Sequence, residues 1–142
     1  MRTLCVASAI AVLACAAGCC PSRSPQTGAP VVFSGTIAPR GCAVHDFDPP
    51  PRTTQSNLDL SWNAGNLRLS ELVPTCPAGQ EDQCVRLTDP IEAQAPAQRS
   101  IHTVATNQRP ENREQMKFLI ENLSGEAAAY TLTIVPRSAG CT

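Results

Sequence analysis

The apolar residues of this chain alternate, and prolines stand between the alternating runs. Leu58, Leu60 and Trp62 occupy every second position, with Asn57, Asp59 and Ser61 beside them. Met116, Phe118 and Ile120 repeat the pattern around Lys117, as do Tyr130, Leu132 and Ile134 around Thr131 and Thr133. Side chains of a strand point to opposite faces with a period of two, so each run presents one apolar face that must be covered. The 13 prolines lie in nearly every gap between such runs. Proline cannot donate a backbone hydrogen bond, so this spread leaves little room for a helix of three turns. Two one-sided sheets that cover each other meet both constraints.

The expectation is therefore an all-β chain, an antiparallel β-sandwich of jelly-roll-like form with about eight strands. The strands are placed at 31–37, 42–47, 57–62, 66–72, 83–87, 101–105, 116–122 and 128–135. Asn63-Ala64-Gly65 reads as a tight hairpin turn. Residues 123–126 join the last two strands, and Pro49-Pro50-Pro51 leaves the sheet. Residues 89–99 are the best helix candidate, cut short by Pro96.

The first 18 residues have a different character. Arg2 precedes an apolar run from Thr3 to Ala17, no acidic residue appears before Asp46, and Ala16-Ala17-Gly18 leads into Cys19. The run is shorter than the roughly 20 residues of a membrane span. A basic start, an apolar stretch and small residues at a cut define an export signal. With a cysteine directly after, this one resembles the signal peptide of a bacterial lipoprotein. The resemblance implies cleavage before Cys19 and a lipid on its sulfur. Cys15 is the second choice, disfavoured by Leu13 at a position that prefers a small residue, and Cys20 ranks last. Ordinary secretory cleavage is the competing reading. Residues 19–30, with three prolines among small polar residues, read as a lipid-anchored tether, and residues 31–142 as the folded domain. The absence of aspartate after Cys19 implies, by analogy, the outer membrane. The membrane is thus an expected partner through the anchor, and the covalent lipid the only attached group.

Removing 18 of 142 residues leaves one domain's worth of chain, with ten basic and twelve acidic side chains. No block of lysine or arginine exists, which excludes the positive stripe of a nucleic-acid binder. Of the eight cysteines, Cys42, Cys76, Cys84 and Cys141 form an even set in the exported domain, open to three pairings. Cys76 with Cys84 closes the shortest loop, which leaves Cys42 with Cys141; Cys20 is odd. Zinc is the rival reading, but close cysteine pairs are missing from the folded part.

The runs SNLDLSWNAGNLRLSELVPTC and KFLIENLSGEAAAYTLTI, with GTIAPRGCAVHDFDPP before them, resemble the pre-peptidase C-terminal domain. The likeness spans most of residues 31–136 and departs from the family in the 49–56 and 88–114 connections. It implies a small β-sandwich and a binding role, and it brings no catalytic residues.

A search for chemistry finds little to join. His45 and His102 lie in strand-like runs, and the Gly-x-Ser-x-Gly elbow of a hydrolase is missing. Asp46 and Asp48, two apart, share a face at a strand end and form a weak calcium candidate; solvated acids are the simpler reading. Trp62 ends its strand and is a possible ligand-facing aromatic, with core packing the simpler alternative. No catalytic residue and no metal site is assigned. The expected role is a non-catalytic accessory module of the cell envelope that binds a protein or a glycan. Alternatives are a structural component of an envelope complex and, last, a small secreted hydrolase.

Overall fold

The computed structural model describes residues 27–93, 98–107 and 115–138. Eight strands follow one another: β1 (Val31–Ile37), β2 (Cys42–Phe47), β3 (Thr53–Trp62), β4 (Leu67–Leu72), β5 (Ile91–Glu92), β6 (Ser100–Thr106), β7 (Met116–Asn122) and β8 (Ala128–Ser138). They form two four-stranded antiparallel sheets, ordered β1-β8-β3-β6 and β2-β7-β4-β5. The pairs β1–β8, β2–β7, β3–β6 and β4–β5 nest inside one another, as if one long hairpin had been rolled up. That is the jelly-roll arrangement, and every consecutive pair of strands except β4–β5 crosses from one sheet to the other.

Alternation places the core. In the first sheet Phe33, Leu132, Leu60 and Ile101 stand in one cross-strand row on the inner face. In the second, Ala43, Ile120, Leu69 and Ile91 form the facing row. Leu58, Leu60, Leu67, Leu69, Phe118, Ile120, Leu132 and Ile134 belong to one buried cluster. Full burial of such a side chain stabilises by about 1.5–3 kcal/mol.

The outer faces differ. That of the first sheet carries Ser34, Thr131, Ser61 and Ser100 in one row, and Val32, Thr133, Asp59 and His102 in the next. That of the second sheet is covered by residues 73–87, which fold back over it. Cys76 and Cys84 are joined by a disulfide, with Cα atoms 5.7 Å apart, and pack with Leu72, Leu119, Val44 and Val73 into a second small cluster. This cover buries Lys117, whose Nζ lies 3.1 Å from the Asp46 carboxylate. Beside it, Glu121 receives Arg68 at 2.9 and 3.0 Å and Arg86 at 3.0 and 3.2 Å.

Four sequence expectations change. Residues 83–87 are not a strand: a 3-10 turn spans Glu81–Gln83, and a single bridge joins Leu72 to Arg86. Within the helix candidate 89–99, Ile91 and Glu92 instead form β5, because their backbone finds Leu69 and Arg68 across the sheet edge. Asn63-Ala64-Gly65 turns the chain, but β3 and β4 lie in different sheets, so the turn is an arch and not a hairpin. The same holds for the link from β7 to β8. Finally, part of the tether is already engaged. Thr27 bridges Arg137, and the Gly28 amide donates to the Pro136 carbonyl at 2.8 Å. In an antiparallel ladder a residue's N–H and C=O face the same neighbour. The donor Pro136 lacks is thus on the tether side, where Gly28 asks only for an acceptor.

Candidate functional site

The two sides of the sandwich are closed unequally. Where β1 meets β2, an aromatic stack fills the gap. Phe33 and His45 stack with ring centroids 4.5 Å apart, and the His45 Nε2 and Tyr130 hydroxyl share a hydrogen bond of 2.7 Å. Gly35 makes room for that hydroxyl, since a Cβ there would lie 3.3 Å from it. Burial pushes the His45 pKa down, partly opposed by Asp46, and pushes the Tyr130 pKa up. Neutral His45 is thus a filler of the side wall.

On the other side β6 offers seven residues but β5 only two. Pro90 precedes β5 and cannot donate to the ladder, so pairing starts late. Further along, sheet pairing is replaced by two single bonds, Leu87 N to Glu71 O at 2.8 Å and Val73 N to Val85 O at 3.1 Å. Two recesses open along this side. The inner one, about 30 Å³, is walled by Leu58, Leu69, Ile91, Ala105 and Phe118, with Thr88, Thr103 and Glu71. The outer one, about 160 Å³, lies among Glu92, Gln98, Ser100, Ile101 and His102. Ile91 lines both.

Glu71 is the unusual member. It stands in the inward phase of β4 after Leu67 and Leu69, directly across from Phe118, and is only 8% exposed. Among the described residues its carboxyl has no hydrogen-bond or ionic partner, and burial alone raises its pKa to about 7. A group of this kind is poised between a neutral acid that donates a hydrogen bond and an anion that attracts a cation. At the outer recess the His102 Nδ1 bonds the Asp59 carboxylate, which fixes the ring and leaves its other nitrogen for a ligand. Glu92 lies 3.8 Å from Arg68, and the Gln98 amide donates to the Ser100 carbonyl at 2.8 Å.

The residues singled out from sequence do not converge here. Trp62, considered as a ligand-facing aromatic, is 6% exposed and belongs to the core, with its indole N–H donating to the Gly65 carbonyl at 3.2 Å. Its parity on β3 sends it inward beside Tyr130. Asp46 and Asp48 are both exposed, but each is held separately, by Lys117 and by the Gln115 amide at 3.2 Å. Among the described residues no group of three histidines, cysteines or acids could hold a metal ion. The Cys76–Cys84 pair is present as read. Cys42 begins β2, while Cys15, Cys19 and Cys141 lie outside the described residues. Glu71 itself was missed, although a charged residue at an apolar phase was visible in LRLSEL.

No family model and no curated protein matches the chain. Among solved structures it is similar to a mitogen from Yersinia pseudotuberculosis, at 14% identity and a TM-score of 0.47, over 75% of this chain and 84% of that one. It is also similar to a protein of Bacillus endospore appendages, described as disulfide-linked pili, at 10% identity and a TM-score of 0.40, over 85% and 96% of the two chains. Likeness at this level assigns the chain no activity.

Proposed function

We propose that this chain is an exported, lipid-anchored module of the cell envelope that binds a protein or glycan partner and performs no catalysis. The binding role rests on the open β5–β6 side, where the buried residue Glu71, whose carboxyl has no partner among the described residues, lines a largely apolar recess. A folded chain leaves such a group only at a cost, and a ligand that supplies the missing partner removes it. The resemblance to the pre-peptidase C-terminal domain points the same way, toward a sandwich that binds. The anchor rests on the order Arg2, apolar run, small residues, Cys19. Three acyl chains of a bacterial lipoprotein would hold the module durably, since each buried methylene contributes about 0.8 kcal/mol.

Metabolic labelling with radioactive palmitate tests the anchor. The wild-type chain is expected to take up label and the Cys19→Ser chain to lose it and leave the membrane fraction. Label that persists in Cys19→Ser, or is missing from both, rejects the assignment.

A further inference from the structure

We propose that the β6 edge and the recess beside it receive an extended peptide segment of the partner, whose backbone adds to β6 and whose lysine or arginine side chain meets Glu71. The proposal deepens the binding role proposed above and is independent of the lipid.

Three observations combine. First, β6 is an edge strand: among the described residues it pairs only with β3, and the adjoining edge of the other sheet ends in the two-residue β5 and the single Leu72–Arg86 bridge. An edge of seven residues presents a row of unpaired backbone groups, which an extended peptide satisfies by strand addition. Secondly, the border of this edge is apolar. Val104 is 53% exposed on β6, and Leu87, whose amide is bound to Glu71, is 49% exposed on the opposite side. Thirdly, the interior is acidic. Glu71, 8% exposed, lines the inner recess, and Glu92 lines the outer one.

The charge argument selects the side chain. Among the described residues, the walls contributed to the inner recess by β3, β5, β6 and β7 hold no other ionisable group, so a cation there meets the Glu71 carboxyl. At about 30 Å³ the recess takes only the charged end of such a side chain, so the aliphatic stem lies at its mouth beside Ile91 and Val104. An acidic segment would place like charges together in the same low-dielectric space. Binding of the cation holds Glu71 ionised, so complex formation releases a proton wherever the free group is protonated, and affinity rises with pH up to about 7.

The test uses the purified full chain and a fluorescent ten-residue peptide of alternating valine and lysine. A valine–glutamate peptide of the same length and a backbone N-methylated valine–lysine peptide serve as controls. Fluorescence anisotropy is expected to report saturable binding of the valine–lysine peptide alone, weakened about tenfold or more by Glu71→Gln and strengthened between pH 5.5 and 7.5. Glu71→Gln removes the buried ionisation without changing the side chain's volume, so loss of binding in a folded variant is attributable to the charge. Equal binding of the acidic peptide, or unchanged affinity in Glu71→Gln, overturns the role of the acid. Equal binding of the N-methylated peptide overturns strand addition. A chain that binds only cell-wall polysaccharide, or that only pairs with itself, overturns the proposal while leaving the lipid anchor untouched.

Discussion

Asn122 shows how one buried amide can fasten an entire end of a sandwich. It is the last residue of β7 and stands at an inward position that the alternation reserves for apolar groups. Its Nδ2 donates to the carbonyls of Glu126 at 2.6 Å, Ala38 at 3.2 Å and Ile37 at 3.4 Å. Its Oδ1 accepts from the Ser124 amide at 3.0 Å and the Ser124 hydroxyl at 2.7 Å. The β1–β2 and β7–β8 connections are thereby tied together, and Gly65 from the β3–β4 arch is drawn in beside them. With φ at +71°, a Cβ on Gly65 would fall 2.1 Å from the Ser124 hydroxyl, so only glycine fits. Replacing Asn122 by alanine strands several carbonyls in the interior, and the expected loss is about 2–4 kcal/mol of unfolding free energy in urea titration. Asn122→Asp should fare no better, since an ionised carboxylate accepts but cannot donate to those carbonyls. A loss below about 1 kcal/mol would mean that water replaces the amide there.

Among the elements, the covering loop 73–87 depends most on a covalent link. Cys76 and Cys84 close a nine-residue loop, and cross-linking a loop of that length stabilises by roughly 2–3 kcal/mol on the chain-entropy model. The bridge also keeps the loop over Leu72 and Leu119, which otherwise face water from the outer side of the β2-β7-β4-β5 sheet. The Cys76→Ser/Cys84→Ser chain should therefore lose roughly that stability, cleave sooner within residues 77–83 under protease, and bind a hydrophobic dye. A double variant with wild-type protease resistance would show that the Arg68–Glu121–Arg86 network secures the loop without the disulfide. The bridge was legible because eight positions separate the cysteines across a polar stretch, and strands such as 116–122 were legible from strict alternation. The arches were not. The Asn63-Ala64-Gly65 turn has the composition of a hairpin, and nothing local tells a turn that pairs two strands from one that sends them into opposite sheets. That choice is made by distant partners, Tyr130 for Trp62 and Asn122 for Leu67. β5 was hidden for the same reason: two residues carry no period, and only β4 makes them a strand. The open side went unread because it consists of what β5 fails to cover.

At the scale of the molecule, the two sides of the sandwich respond to pH in opposite directions through one cross-strand row. His45, Phe118 and Glu71 are successive members of that row, with His45 on the filled side and Glu71 on the open one. Burial lowers the His45 pKa from 6.5 in the folded state. The stability it permits is full above 6.5 and is lost as pH falls toward the lowered value, because the unfolded chain takes up the proton first. Burial raises Glu71 from 4.5 to about 7. Its contribution is full below about 4.5 and is lost as pH rises through 7, because the unfolded chain then ionises more readily than the folded one. A shift of that size corresponds to at most about 3 kcal/mol, reached only when the folded group is fully ionised. Removing one group isolates its arm of the profile. Relative to wild type, Glu71→Gln should gain little near pH 4.5 and roughly 2–3 kcal/mol near pH 8, read from urea midpoints at each pH. The basic valine–lysine peptide, if it pairs with Glu71, should recover part of the same free energy in the wild-type chain at pH 8 and stabilise the variant less at the same concentration. A difference between wild type and Glu71→Gln that stays constant from pH 4.5 to 8 would mean that the carboxyl reaches water in both protonation states, and the open side would then hold no stored charge for a partner to neutralise.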